Sequence, residues 1–341
     1  MPECLPLCGG CRTILLPLST LNALVIKRLI SMTLLYYDPL FLEHDTGQHP
    51  ENAGRLTPVL QTLASSGLEA RCRRPGWQPA TSQQIGYVHS PAYIVSIEQF
   101  AAHGGGKIEA DTQVSQQSYA VAALGVGAVC DAVKRVVAGE MRTAFCLLRP
   151  PGHHALPEHA MGFCLFNSVA IAARLAQREL SLERVLIVDF DVHHGNGTQD
   201  VFWEDGSVGF LSMHRFPFYP GSGAADETGA GPGLGATRNL PVSLGTSAQD
   251  QQKKFRHALE QFAARVRPQV VLLSAGFDSH RNDPVGSLGL ESEDFRELTQ
   301  AVIDVANVHA AGRVISLLEG GYNPQALAEC VQVHLEQLLN G

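Results

Sequence analysis

Acidic residues and histidines alternate in the segment Asp189-Phe-Asp191-Val-His193-His194. Two carboxylates and an imidazole are costly to bury unless a cation compensates their charge. Side chains alternate along an extended segment, so Asp189, Asp191 and His193 would converge on one small volume. With Asp278 from a separate segment, Asp191 and His193 would form a set of three oxygen and nitrogen ligands. Zn²⁺ with an open fourth position fits this set, although the same ligand types also suit Fe²⁺ or Mn²⁺.

A second pair of histidines, His153 and His154, would supply the base that a metal hydrolase needs. An imidazole titrates near neutrality, so it can accept a proton from water and later return one to a leaving amine. Each ring needs a partner on its far nitrogen, and Asp189 and Asn196 are available for this purpose. A carboxylate would raise the basicity of its partner, whereas a neutral amide would orient the ring with less effect.

Tyr322 follows Gly320 and Gly321, which form a flexible hinge. Its hydroxyl would donate to the oxyanion of a tetrahedral intermediate opposite the metal. Taken singly, an Asp at a strand end is usually a cap, a lone His is usually structural, and a Tyr after two glycines often only packs. The combination in one chain favours metal-dependent hydrolysis of an amide bond.

Apolar runs rich in β-branched residues alternate with helical patterns along most of the chain. Short continuous apolar runs are typical of parallel strands buried on both faces. The predicted strands are 33–37, 143–148, 185–190, 208–213, 270–274 and 314–318, and the predicted helices are 118–138, 167–179, 248–266, 291–311 and 324–339. This alternation predicts βαβ units and an α/β fold. Four of these strands run directly into the polar motifs, and ligands bind at the carboxyl ends of such strands.

The composition indicates a soluble globular protein of 341 residues with a large core, either one large α/β domain or two smaller ones. The net charge is −8 and no Lys/Arg-rich stretch occurs, so the charge pattern for direct nucleic-acid binding is missing. The acidic balance would favour a basic partner. The eight cysteines show no disulfide framework, which favours a reducing compartment, and we predict a cytoplasmic location. The glycine-rich segment 221–235 fits no phosphate-binding motif and is predicted to be a surface loop.

Residues 1–31 differ from the rest of the chain. Their apolar run is too short to span a membrane, and basic residues follow it rather than precede it, unlike a secretory signal. We predict an N-terminal extension, poorly ordered or arising from a wrongly assigned start, before a catalytic domain at 32–341; a transit peptide is the alternative. Cys4, Cys8 and Cys11 have the spacing of the cluster-binding motif of radical S-adenosylmethionine enzymes, but no strand precedes them, which argues against an iron–sulfur cluster.

Taken together, the motifs resemble those of the histone deacetylase family. The matching motifs are HPENAGRL at 49–56, PGHH at 151–154, GFC at 162–164, DFDVHHGNGT at 189–198, AGFD at 275–278 and GGY at 320–322. The match runs in order from about Leu34 to the C-terminus. Asn196, where other branches carry Asp, is similar to the class II branch and its bacterial amidohydrolase relatives. The resemblance implies the arginase/deacetylase-type fold, with a central, mainly parallel sheet and helices on both faces.

The same resemblance assigns roles around the metal. Asp191, His193 and Asp278 match the zinc ligands of the family, His154 matches the general base of its tandem histidines, and Tyr322 matches its transition-state tyrosine. A structural K⁺ ion is also implied, held by Asp189, Ser212 and backbone carbonyls near the zinc ligands.

On the substrate side, the resemblance implies a hydrophobic tunnel for an acyl-lysine chain. Phe163 resembles one wall, and Tyr219 occupies the place of the other wall, which is commonly Phe. Gly162 matches a backbone contact to the substrate amide, and Gly321 is assigned to the substrate site as well. Asp111 resembles the aspartate at the rim that holds the substrate backbone.

The implied activity is zinc-dependent removal of acetyl groups from lysine side chains of a protein or peptide. An acetylpolyamine or other small-amide amidohydrolase on the same fold is the alternative enzyme. An arginase-like binuclear manganese enzyme would need more bridging carboxylates than Asp189, Asp191 and Asp278 offer. A non-catalytic scaffold would lack ligands or Tyr322, and none is missing. The oligomeric state stays open.

Overall fold

The computed structural model describes residues 33–341, and seven of the strands in this part form one parallel sheet. The strands are β1 (Thr33–Tyr36), β2 (Gly106–Glu109), β3 (Thr112–Val114), β4 (Thr143–Cys146), β5 (Val185–Asp189), β6 (Val208–Arg215), β7 (Thr237–Val242), β8 (Val270–Ala275) and β9 (Val314–Leu318). The sheet order is β1-β4-β9-β8-β5-β6-β7, and every neighbouring pair is parallel. β2 and β3 form a separate antiparallel hairpin.

Helices cover this sheet in two layers. They are α1 (Leu56–Ser65), α2 (Ser82–Ile85), α3 (Pro91–Ala102), α4 (Ser118–Val137), α5 (Ser168–Arg178), α6 (Asn196–Val201), α7 (Ala248–Val266), α8 (Asp294–His309) and α9 (Pro324–Asn340). α4 and α5 pack together against the central strands, whereas α7, α8, α9 and α1 form a second packed series. The expected α/β architecture, with a parallel sheet between helices, is therefore confirmed.

The central strands are buried along their whole length, as their continuous apolar sequences predict. The six predicted strands and five predicted helices are all present, with ends that differ by up to three residues. The elements that the sequence analysis missed are mainly α1, α3, the β2–β3 hairpin and β7. β7 lies at the sheet edge, carries Pro241 and contains the polar residues Thr237, Arg238 and Asn239, so it lacks the apolar run used as the criterion.

Some sequence predictions fall outside the described residues. These are the N-terminal extension and the Cys4, Cys8 and Cys11 motif. In the described part, the free cysteines Cys72, Cys130, Cys146, Cys164 and Cys330 are all buried. None of the helices in residues 33–341 combines the length and the apolar character that a membrane crossing requires.

Candidate active site

Four neighbouring strands deliver the predicted functional residues to one edge of the sheet. β4, β9, β8 and β5 lie side by side in that order. The loop after β4 carries the tandem histidines, the loop after β9 carries Tyr322, Asp278 follows β8, and Asp191 and His193 follow β5. The carboxyl ends of parallel strands meet at the same edge, which is where ligands bind in this class of sheet.

Asp191, His193 and Asp278 converge closely enough to share one ion. Their ligand atoms all lie within 4.8 Å of one another, and all three residues are buried. His193 Nδ1 is 3.0 Å from Asp191 Oδ1 and 3.2 Å from Asp278 Oδ2. The prediction that these side chains converge along an extended segment was wrong, because β5 ends at Asp189 and the chain then bends. In that bend the backbone N–H of His193 donates to Asp191 Oδ1 at 2.9 Å.

The surroundings of these carboxylates fit a divalent cation. Within the described part of the chain, buried Asp278 Oδ2 has no hydrogen-bond partner of acceptable geometry. A Cβ atom at Gly276 would overlap Asp191 Oδ2, and one at Gly320 would overlap the carboxylates of both aspartates. Glycine at these positions leaves the space beside the oxygens open. Burial and repulsion from Asp191 raise the pKa of Asp278 to about 7, which marks a carboxylate in need of a positive partner.

The tandem histidines lie beside this cluster and have different partners. His153 Nδ1 is 2.9 Å from Asp189 Oδ2, and His154 Nδ1 is 2.7 Å from Asn196 Oδ1. Burial alone would lower the pKa of His153, but the carboxylates of Asp189 and Asp191 outweigh it and raise the pKa to about 10. Burial and the neighbouring His153 hold the pKa of His154 well below its usual value. The two neighbouring imidazoles therefore have pKa values that are shifted in opposite directions.

Tyr322 is held on several sides. Its backbone N–H donates to Asp283 Oδ2 at 2.6 Å, and the Arg55 guanidinium lies 4.8 Å from the centre of its ring. Arg55 Nε also donates to the carbonyl oxygen of Gly321 at 2.6 Å. The carbonyl of Gly321, a predicted substrate-binding residue, therefore already has a hydrogen-bond donor. The ring of Phe163 meets the Tyr322 ring nearly at a right angle, with centroids 5.6 Å apart. Burial raises the pKa of Tyr322, so its hydroxyl stays protonated and can donate.

The predicted substrate residues Asp111, Gly162 and Phe163 also lie together. Asp111 is in the turn between β2 and β3, and its Oδ1 accepts the backbone N–H of Gly162 at 3.0 Å. The N–H of Phe163 donates to Thr112 Oγ1 at 3.1 Å. Gly162 and Phe163 both have positive φ, 56° and 70°, and these two bonds hold that unusual backbone. His49 packs edge-on against Phe163, with centroids 4.5 Å apart.

Tyr219 reaches the same site from the loop after β6. Its ring meets His154 and His193 nearly at right angles, with centroid distances of 5.2 and 6.0 Å. Burial and the Asp111 carboxylate raise the pKa of Tyr219. Phe218 was not predicted as a site residue. Its ring stacks on His193 at 5.3 Å with planes 15° apart, and the Arg215 guanidinium lies 4.1 Å above it. The adjacent aromatic residues in FPFYP were the available signal.

A buried ion cluster beneath the site was also missed. Glu51 accepts two hydrogen bonds from Arg149, at 2.6 and 2.9 Å, and one from Arg55 at 2.9 Å. Arg149 also donates to the carbonyls of Phe41 and His44. This cluster ties the loop at 39–56 to the tandem-histidine loop. Glu51 and Arg55 lie within the HPENAGRL motif, and Arg149 lies two residues before the PGHH motif, but a sequence does not show which charged residues are buried.

The region predicted to hold K⁺ brings the two named side chains together. Asp189 and Ser212 are register partners on β5 and β6, and both are buried. Asp189 Oδ1 accepts the N–H of Asp191 at 3.0 Å, and Ser212 Oγ lies 2.9 Å from His214 Nδ1. A K⁺ ion at this position stays a prediction.

The fold and the edge that carries these residues define the arginase/deacetylase type of α/β protein. Comparison with known proteins makes this more specific, because the family model for the histone deacetylase domain matches residues 49–338. The chain belongs to the histone deacetylase family. Membership identifies it as a hydrolase of the deacetylase kind.

The individual relatives agree with this assignment. Histone deacetylase 10, chloroplastic, of Oryza sativa subsp. japonica is 36% identical over 315 residues, covering 87% of this chain and 71% of the relative. An uncharacterised protein of Synechocystis sp. is 38% identical over 320 residues, covering 90% of this chain and all of the relative. The crystal structure of the HDA15 HD domain superposes with a TM-score of 0.86 at 35% identity, covering 91% of this chain and 89% of that one. A cytoplasmic location stays a prediction, since one of these relatives is named as chloroplastic.

Proposed function

We propose that this chain is a Zn²⁺-dependent deacetylase that removes acetyl groups from acetylated lysine side chains of a protein or peptide. The observation that carries the proposal is the buried Asp191, His193 and Asp278 cluster, with ligand atoms within 4.8 Å, beside two histidines whose pKa values are shifted in opposite directions. Paired groups with separated pKa values are typical of acid–base catalysis.

Asp191, His193 and Asp278 would hold the zinc ion. A bound Zn²⁺ supplies Lewis acidity, which polarises an acyl carbonyl and makes water more acidic. Asp278 Oδ2 has no competing hydrogen-bond partner in the described residues, and Gly276 and Gly320 keep side-chain atoms out of the space beside the carboxylates. Three protein ligands and an open position are the arrangement of catalytic zinc sites.

His154 is the proposed general base. Its Nδ1 is engaged by Asn196 Oδ1, so the ring carries its proton on Nδ1 and leaves Nε2 free to accept a proton from water. Asp189 lies within hydrogen-bond distance of His153 Nδ1 and favours the protonated form of this ring. The resulting positive charge would stabilise negative charge that develops nearby, and the proton held by His154 would pass to the departing amine.

Tyr322 is the proposed donor to the oxyanion. Its hydroxyl stays protonated at neutral pH, and the residue is only 8% exposed. A fixed donor in a site with little water stabilises developing negative charge more strongly than the same donor in bulk water. The aromatic rings of Phe163 and Tyr219 would line the aliphatic part of the lysine side chain, and Asp111 would hold the substrate backbone at the rim.

The test combines metal analysis with a substrate panel. We expect about one zinc per purified chain, hydrolysis of an acetyl-lysine peptide in preference to acetylspermidine, and inhibition by a hydroxamate. Asp191→Asn is expected to lose the metal and to lower turnover by at least about 10²-fold. Asp226→Asn, which alters an exposed aspartate, is the matched control and is expected to leave both unchanged.

Each result decides between the hypotheses. Preference for acetylspermidine would move the substrate to small acetylated amines, the alternative raised by the sequence. A metal-loaded chain that hydrolyses neither substrate would overturn the proposed activity. Higher activity with Fe²⁺ than with Zn²⁺ after reconstitution of the metal-free chain would change the metal and leave the reaction class intact.

A further inference from the structure

We propose that Asp283 is a positioning residue that sets the place of Tyr322 by joining the loop after β8 to the loop after β9. This inference rests on the proposed deacetylase function. Asp283 is buried, although neither the sequence motifs nor the metal cluster includes it. In the proposed mechanism, Asp283 would hold Tyr322, the donor to the oxyanion, in place.

The contacts of Asp283 bridge the two loops. Its Oδ2 accepts the backbone N–H of Tyr322 at 2.6 Å. Its Oδ1 accepts the N–H groups of Val285 and Gly286, both at 2.9 Å. One carboxylate thus satisfies three backbone donors, and hydrogen bonds to an ionised acceptor are stronger than neutral ones.

The loop that carries Asp283 is itself tied to the metal ligand Asp278. The backbone N–H of Ser287 donates to the carbonyl oxygen of Asp278 at 2.7 Å. Gly286 is packed so closely that a Cβ there would overlap the side chain of Val192 and the Asp278 carbonyl. The position of Asp283 relative to the ligand cluster is therefore fixed. Through its bond to the Tyr322 N–H, Asp283 also fixes the position of Tyr322 relative to that cluster.

Tyr322 needs such an anchor because of the residues before it. Gly321 has a φ of 128°, which side-chain-bearing residues rarely adopt, so the hinge is free to move unless it is held. Arg55 donates hydrogen bonds to the carbonyl oxygens of Glu319 and Gly321, which precede Tyr322 in the chain. Asp283 holds the N–H on the other side of the hinge. Loss of this bond would leave a buried donor unpaired and release the ring, and small misplacements of a catalytic group are costly.

Asp283→Asn tests the proposal with an isosteric change. Both oxygens of Asp283 accept backbone N–H groups, whereas an asparagine must turn its NH₂ toward one of those donors. We expect kcat to fall about 10- to 100-fold, with KM within about 3-fold of wild type and the zinc content unchanged.

A double-mutant cycle separates positioning from general stability. If Asp283 acts through the Tyr322 hydroxyl, Asp283→Asn has almost no further effect on kcat in a Tyr322→Phe background. The wild type, the two single variants and the double variant are also compared by the Kd of a hydroxamate, a measurement that requires no turnover. Asp205→Asn is the control: Asp205 accepts the N–H of Ser207 and pairs with Arg174 at the opposite end of the sheet, so kcat stays at the wild-type value.

The outcomes are distinguishable. An active wild type with an unchanged kcat in Asp283→Asn, or with the same fold loss in both backgrounds, would overturn the role of Asp283 and leave the deacetylase function standing. A zinc-loaded wild type that is inactive on the substrate panel overturns the proposed function, and the hydroxamate cycle then still decides whether Asp283 and Tyr322 are coupled. If Asp283→Asn does not fold, Asp283→Glu, which keeps the carboxylate but displaces it, enters the same cycle with the same criteria.

Discussion

His153 and His154 are neighbours in the chain with ring centroids 4.0 Å apart, yet one faces a carboxylate and the other an amide. The Asp189 and Asp191 carboxylates raise the pKa of His153 to about 10 against the effect of burial. Burial and the positive charge of His153 lower the pKa of His154. The pKa values of two adjacent imidazoles are therefore shifted in opposite directions, and the partner of each ring contributes to that difference.

Replacing the amide partner by a carboxylate tests this relationship. In Asn196→Asp, the new negative charge raises the pKa of His154, and the acid limb of kcat/KM moves to higher pH because the base must be neutral. We expect a shift of about one pH unit, measured in the zinc-loaded enzyme. Asn307→Asp, at an exposed position, is the control. An acid limb that stays in place would argue against His154 as the base.

A substitution at Gly162 tests how closely the backbone approaches His154, the proposed base. A Cβ at Gly162 would overlap Cγ and Cδ2 of the His154 ring. We expect Gly162→Ala to lower kcat by at least about 10-fold, because the ring must move. Gly67→Ala is a matched control: Gly67 also has a positive φ, 73°, but no atom lies within 4 Å of its added Cβ. Equal losses of kcat in both variants would mean that backbone strain, and not the contact with His154, causes the effect.

The buried charge of Glu51 is expected to matter for stability. Burial alone would raise its pKa, but Arg149 and Arg55 outweigh this and lower it to about 2, so the carboxylate is ionised at neutral pH. Glu51→Gln leaves two buried guanidinium groups without their counter-charge, and we expect the free energy of unfolding to fall by about 3–5 kcal/mol in urea titrations. Glu183→Gln, at a pair with Arg184 where Glu183 is 80% exposed, is expected to change it by less than about 1 kcal/mol.

His334 predicts an acid-dependent loss of stability. Its ring is buried between Thr299 Oγ1 and Ser316 Oγ, at 2.7 and 2.9 Å, and burial lowers its pKa to about 3. The unfolded chain, with an ordinary histidine pKa of about 6.5, binds the proton first. The stability from His334 is therefore complete above pH 6.5 and is lost as the pH falls from about 6.5 toward 3.

The measurement compares unfolding at two pH values. Lowering the pH from about 7.5 to about 5.5 is expected to cost roughly 1.4 kcal/mol at this residue. His334→Gln keeps hydrogen-bonding groups at the position but cannot titrate, so its loss over the same interval is expected to be smaller by that amount. The same loss in both proteins would show that folding does not lower the pKa of His334.

The sequence predicted the central part of the fold because burial on both faces leaves a direct signal. Continuous apolar runs located β4, β5, β8 and β9, and the polar residues after them located the edge that carries the site. β7 has no such run, since its sequence TRNLPV mixes polar residues with apolar ones. Helix α1 was missed because Pro58 interrupts the apolar pattern near its start.

The candidate site was predictable in its residue types but not in its supporting contacts. Spacing indicated that Asp191 and His193 would meet, although the bend that brings them together differs from the extended segment assumed. Asp283 could not be identified, because its role depends on loops that are remote in sequence and become neighbours only in the folded chain. For Phe218, the only sequence signal was the run of adjacent aromatic residues. The depth of Glu51 follows likewise from tertiary packing, which a local pattern does not contain.

The arrangement of β4, β9, β8 and β5 side by side means that no short fragment of the chain contains the whole site. Asp278 and the Asp191–His193 pair reach each other only after β5 and β8 have paired. Ion occupancy and assembly of the sheet are therefore thermodynamically linked, and a tightly bound ion would raise the melting temperature of the native topology in proportion to the logarithm of its concentration. Removal of the ion by a chelator would then lower the stability of the fold as well as abolish the activity.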